Sequence, residues 1–236
     1  MALQIGRALG RGIRRATNST GVVLMVLTFL YTLVFVGSMN AIVVGVLPRN
    51  VRQQGQFGLT FPLSASVAGV LLVLAFLFSF VVILAATRAF TREPGTGSTL
   101  SADLFTRRIG GALASMVGAE LVVSVATTIG FVLLVVPGLF LAVSFVFVVF
   151  AIGVEDARAV DALRRSWDLA RGHRLRLFLL VLVVGVATGL VSSLGSLLSI
   201  TNPVAGQVVS LALAAVFSIL GYGVLADAYV QVRDGA

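Results

Sequence analysis

Cysteine is absent from the 236 residues, which excludes disulfides and thiolate chemistry within the chain. Histidine occurs once, at His173, so no pair of imidazoles can hold a metal or haem. No metal and no other cofactor is expected. Lysine is absent too: all 17 basic residues are arginine, set against nine acids for a formal charge of +8. Charged residues make up only 11% of the chain, where a soluble domain carries about a quarter. So little charge cannot solvate a sequence that is 58% hydrophobic with a mean hydropathy of +1.09. The expectation is an all-α, polytopic membrane protein. No P-loop, glycine-rich dinucleotide loop or paired-histidine motif occurs, and the polar connections are too short for a catalytic domain. The chain is therefore not expected to be an enzyme.

Long apolar stretches are what the sequence does have. Six runs are drawn, at about 19–47, 62–87, 109–134, 139–154, 177–199 and 205–229, against the roughly 20 residues a helix needs to cross hydrocarbon. The fourth is the shortest, between Pro137–Gly138 and the acids Glu155 and Asp156. It is kept as a span because the charge distribution asks for an even number. Arginines crowd the N-terminal approach, the connections between runs two and three and between four and five, and the tail. Only Arg49 and Arg52 lie on the opposite side. The positive-inside rule then places both termini in the cytoplasm of a multi-pass cell-membrane protein. The first run is too long for a signal-peptide core and no small-x-small site follows it, so it is read as an uncleaved span; Arg14–Arg15 reads as charged anchoring. In a soluble chain the basic excess would indicate nucleic acid. Here the arginines sit at the ends of apolar runs, where anionic headgroups are the nearer partner, and no nucleic acid is expected.

One pattern recurs three times within a single membrane domain, 1–236: unit one at 1–100, unit two at 101–154 and unit three at 155–236. Each has a short basic approach, LQIGRALGRGIRRAT, SADLFTRRIGGAL or ARAVDALRRSWDLARG, followed by a helical hairpin. Pro48, Pro137 and Pro203 mark the reversals, since proline lacks a donor and drives its predecessor out of the helical region. In the third approach Val160, Leu163, Trp167 and Ala170 share one face, while Asp161–Arg165 and Arg164–Asp168 stand four apart as candidate ion pairs. This spacing suits an interfacial helix with Trp167 as a headgroup-depth anchor. Arg164, Arg165, Trp167, Arg171 and Arg174 are the candidate contacts to lipid or to a partner.

Small residues step by four along four runs: Gly37, Ala41 and Gly45; Gly110, Ala114 and Gly118; Gly185, Gly189 and Ser193; Gly206, Ser210, Ala214 and Ser218. Such ridges let membrane helices approach closely where no hydrophobic drive brings them together. Most are expected to pack within one tight bundle, with a homo-oligomer or membrane-protein partner as the other use. Glu120 stands about eleven residues into the third run, close to mid-membrane, where a carboxylate is costly. It reads equally as a proton-relay acid, an ion ligand or a buried hydrogen-bond donor in its protonated form. Asp227, near the end of the sixth run beside Tyr222 and Tyr229, calls for an arginine from an approach helix. Asn40, with Tyr31 and Thr28, is a candidate for a polar contact inside the bundle. No span shows a clear break with an unwound polar centre.

The stretch EDARAVDALRRSWDLARGHRLRLFLLVLVV, with VVPGLFLAVSFVFVVFAI before it, resembles one membrane family. That family comprises the YciC-like inner-membrane proteins and the membrane domain attached to some glycerophosphodiester phosphodiesterases, and similar archaeal membrane proteins of unknown function. Glu155, Ala162, Leu163, Arg165, Ser166, Trp167, Leu169 and Gly172, with Pro137 and Gly138, carry the likeness. The likeness covers about forty residues strongly and implies the six-span architecture. It implies no chemistry: the phosphodiesterase domain is absent and the family has no agreed catalytic residues. The expected role is an accessory, scaffold or lipid-organising membrane protein, with a transporter centred on Glu120 and a lipid-modifying enzyme as alternatives.

Overall fold

A computed structural model describes residues 4–48, 50, 57–92 and 103–235. Arg49 and Arg52, on which the charge-poor side of the topology rests, lie outside the described residues, as does the start of the second approach. The described helices are, in order, α1 (Ile5–Ala16), α2 (Ser19–Val46), α3 (Ala65–Thr91), α4 (Asp103–Thr106) and α5 (Ile109–Leu133). They continue with α6 (Val135–Ser144), α7 (Val148–Glu155), α8 (Ala159–Ala170), α9 (Arg174–Leu198) and α10 (Pro203–Asp234). Six segments are long and apolar enough to cross a membrane: α2, α3, α5, α6 with α7, α9 and α10. The shortest, Val135–Glu155, has 21 residues and the longest, Pro203–Asp234, has 32. The chain is an all-α polytopic membrane protein.

The fourth span departs from its expected bounds. Its reversal falls at Leu134, whose backbone is extended, and Pro137 lies in the first turn of α6. A first-turn residue has no intrahelical acceptor for its N–H, so proline loses nothing there. The turn is tight because both sides lack a side chain: a Cβ on Gly130 would sit 2.8 Å from the Gly138 Cα. The span is also interrupted, with α6 ending at Ser144 and α7 beginning at Val148. The break falls at the apolar residues Phe145, Val146 and Phe147 and is bridged by turn hydrogen bonds, so it is not an unwound polar centre.

The chain forms two compact units. The first comprises Met1–Leu24, Phe80–Val184 and Ile219–Ala236, the second Met25–Ser79 and Gly185–Ser218. In the first, Phe80 and Leu84 of α3, Met116 and Ala119 of α5, Val148, Ala151 and Ile152 of α7 and Ala162 of α8 form one apolar core. Two approach helices dock through small residues four apart: α1 buries Ala8, Gly12 and Ala16, and α8 buries Ala162, Ser166 and Ala170. A Cβ on Gly12 would meet the Val224 Cα at 2.4 Å, so glycine is what lets α1 cross α10 there. Of the apolar face expected of α8, Val160 is 58% exposed, whereas Leu163 packs against the core and Ala170 is fully buried.

In the second unit, Gly195 and Gly206 form the closest crossing. A Cβ on Gly195 would lie 2.6 Å from the Ser210 N, and one on Gly206 2.4 Å from the Ser199 N. Gly37 faces the Phe61 ring. Among the described residues, Gly185 and Gly189 of the fifth-span ridge pack against nothing. A Cβ on Gly185, Gly189 or Gly45 meets no atom within 4 Å, and the same holds for Gly110 in the first unit. A small side chain permits a close crossing but does not attract one.

Candidate functional site

The side chains of the RRSW stretch converge on the broken fourth span. Ser166 is fully buried. Its Oγ donates to the Ser144 carbonyl at 2.8 Å and accepts from the Phe147 N–H at 3.1 Å. An interrupted helix leaves backbone groups without partners, and in hydrocarbon each such group costs several kcal/mol. One hydroxyl from α8 satisfies a group on each side of the break.

Arg165 reaches the Glu155 carboxylate at 3.2 Å, and the Tyr229 hydroxyl donates to the same carboxylate. The Tyr229 ring lies 5.5 Å from Phe147 and 5.3 Å from Phe150, so the pair rests on an aromatic base. Neither expected pair within α8 forms: among the described residues, Asp161–Arg165 and Arg164–Asp168 are not within ion-pairing distance. An exposed pair four apart gains only about 0.3–0.5 kcal/mol, whereas Glu155 offers Arg165 a half-buried partner already fixed by Tyr229. Trp167 packs against Phe140 and Phe145. The Arg174 guanidinium lies 4.6 Å from the Trp167 ring and 4.3 Å from that of Phe140. Arg165, Trp167 and Arg174 therefore make contacts within the chain, while Arg164 and Arg171 are exposed.

Two further clusters tie helix ends together. Asp156, in the left-handed region at φ 53°, pairs with Arg107 and faces Arg88 at 3.8 Å. Arg88 is buried and donates to the carbonyls of Gly153 at 2.9 Å and Leu104 at 3.1 Å. Sequence reasoning treated Arg88 only as one of the arginines between spans; its place just inside the end of an apolar helix was the available signal. Asp227 is 1% exposed and pairs with Arg11 at 3.2 Å and Arg15 at 3.8 Å, with Gln231 donating to it at 2.6 Å. Arg15 also donates to the Phe90 carbonyl at 2.9 Å. The arginines that Asp227 called for come from α1.

The intramembrane polar candidates do not form one site. Glu120 is exposed on α5 and, among the described residues, has neither a hydrogen bond nor an ion pair. Asn40 donates to the Leu59 carbonyl at 2.8 Å, and Gln207 accepts from the Leu59 N–H at 2.6 Å. Gln207 was missed, since an amide just inside a span gave no periodic signal. Thr28 is buried and its hydroxyl has no hydrogen-bond partner among the described residues, and Tyr31 and Tyr222 are half-buried. Among the described residues no three acids or histidines stand close enough to hold a metal.

A groove of about 820 Å³ opens in the first unit. Its walls are the start of α5, the α7–α8 connection and the first turn of α8. Arg108, Gly110, Gly111, Asp156, Arg158 and Asp161 line it, over a floor that includes Ala112 and Ile152.

A family profile for a domain of unknown function, DUF7847, matches residues 3–232. No curated protein and no solved structure matches the chain.

Proposed function

The chain belongs to the DUF7847 family, and on that premise we propose that it is a non-catalytic membrane scaffold that gathers anionic lipid through its arginine-rich end. The carrying observation is the set Arg7, Arg14, Arg108, Arg158, Arg164, Arg171 and Arg176. All are exposed, and among the described residues none has a carboxylate within ion-pairing distance. An arginine near an anionic leaflet contributes about 1 kcal/mol of attraction, so several together hold headgroups collectively. The positive-inside rule supports a cytoplasmic location for these arginines. The resemblance to the YciC-like proteins and the phosphodiesterase-attached membrane domains supports the architecture and adds no chemistry.

The test is native mass spectrometry of the extracted full chain with phosphatidylglycerol or phosphatidylcholine added. More phosphatidylglycerol molecules should stay bound, and their number should fall in the R164Q/R171Q/R176Q variant. Equal retention of the two lipids overturns the proposal.

A second reading, as an accessory subunit, is favoured by Glu120. An exposed acid at mid-span gains from a donor on a neighbouring membrane helix. Glu120→Gln should then weaken an association that crosslinking detects in native membranes. A transport role has less support, since Glu120 does not line the groove.

A further inference from the structure

We propose that the groove between the starts of α5 and α8 is a binding site for one phosphate group, carried by a lipid headgroup or a soluble phosphate ester. The inference rests on the reading of the arginine-rich end and gives it a specific site. Four observations combine.

First, the groove is lined by Arg108 and Arg158. Both are exposed and, among the described residues, neither has a carboxylate within ion-pairing distance. A planar fork of N–H donors suits a phosphate.

Second, these two residues are the N-caps of α5 and α8, and neither side chain caps its helix. A cap normally supplies an oxygen to the first-turn N–H groups, and arginine has no acceptor to offer. The first-turn donors of both helices thus have no side-chain cap beside the same cavity; α5 has no acid in its first turn and α8 has Asp161, so α5 offers the end that an anion would complement.

Third, the wall of the groove is bare where a ligand would approach the backbone. A Cβ built on Gly110 or Gly111 meets no atom within 4 Å. Arg108 itself has φ 46°, a conformation that side chains seldom adopt.

Fourth, one of the two carboxylates on the walls is already matched by arginines outside the lining. Asp156 is engaged by Arg107 and faces the buried Arg88. Asp161 lies in the first turn of α8, where the helix dipole favours an acid. With Asp156 matched by Arg107 and Arg88, Asp161 is the one lining acid left to set against Arg108 and Arg158.

The test compares the affinity of the first phosphatidylglycerol molecule bound by the full chain in detergent, by native mass spectrometry, across three variants. R108Q/R158Q removes the charges that line the groove. Gly111→Leu fills it without touching charge. R164Q/R171Q removes the same number of charges elsewhere. The emission of Trp167, the single tryptophan, reports that α8 stays docked. The first lipid should bind at least tenfold more weakly to R108Q/R158Q and to Gly111→Leu, and within twofold of the parent to R164Q/R171Q. Equal weakening by both double variants, with Gly111→Leu unaffected, overturns the groove and leaves the diffuse basic face standing. Inorganic phosphate is the second probe. Displacement of the lipid by phosphate, dependent on Arg108 and Arg158, supports a site open to any phosphate. Groove-dependent lipid binding that phosphate does not displace supports a headgroup site. Groove-dependent phosphate binding with no preference for phosphatidylglycerol keeps the groove and overturns the lipid-gathering role. If neither probe depends on the groove residues and no anionic lipid is preferred, both proposals fall.

Discussion

The two compact units are held together by different physics. The first contains every acid in the chain and all arginines except Arg49 and Arg52. Its helix ends are joined by carboxylate–arginine contacts: Asp227 with Arg11 and Arg15, Asp156 with Arg107 and Arg88, Glu155 with Arg165. The second unit has no acid at all. It relies on glycine crossings at Gly195 and Gly206 and on the amides of Asn40 and Gln207. A buried charge must be matched, so a cluster of this kind is sensitive to loss of one partner. A glycine crossing is instead sensitive to added volume. The two units should therefore fail under opposite kinds of substitution.

The largest expected effect is in the first unit. Replacing Arg11 and Arg15 by alanine leaves the Asp227 carboxylate buried without a counter-charge, which should cost about 3–5 kcal/mol in a denaturant titration of the detergent-solubilised chain. Asp227→Asn should cost less, because Arg11 is 44% exposed and can be hydrated. If the asparagine variant proves the more damaging, the charge-matching account of this unit is wrong.

Ser166→Ala comes next. It strands the Ser144 carbonyl and the Phe147 N–H, each at about 1–3 kcal/mol. Trp167 fluorescence should shift as α8 loosens, and an unchanged spectrum together with unchanged stability would show that the break does not depend on this hydroxyl. Gln207→Leu tests the second unit through polarity instead of volume. It removes the acceptor of the Leu59 N–H, and a loss of about 1–3 kcal/mol is expected in the same titration. The smallest effect is a contrast within one helix. Gly185→Leu enters open space and should stay within about 0.5 kcal/mol of the parent, whereas Gly195→Leu must displace Ser210 and should be clearly destabilising. Equal costs at the two positions would show that the Gly185 face is also in use, by a partner or a second copy.

Much of this comparison was visible in outline. The six spans and the concentration of arginine in the approaches follow from linear patterns. Asp227 announced its need for arginine because an acid at the end of an apolar run has few other ways to be matched. The exposure of Val160 was not visible, since it shares a face with Leu163 and Ala170, and only the docking of α8 through Ala162, Ser166 and Ala170 leaves it outside. The open ridge at Gly185 and Gly189 looked the same as the engaged one at Gly206 and Ser210. Likewise, Glu120 carried the same sequence signal whether it faced inward or outward.

What the sequence determined by itself was the number of apolar spans, because crossing hydrocarbon is a requirement on consecutive residues. Which arginines are paired inside the chain and which stay exposed was decided only by tertiary structure. Those pairings join residues 216 positions apart for Arg11 and Asp227 and 49 apart for Arg107 and Asp156. Coulomb energy depends on separation in space, and separation along the chain does not set it.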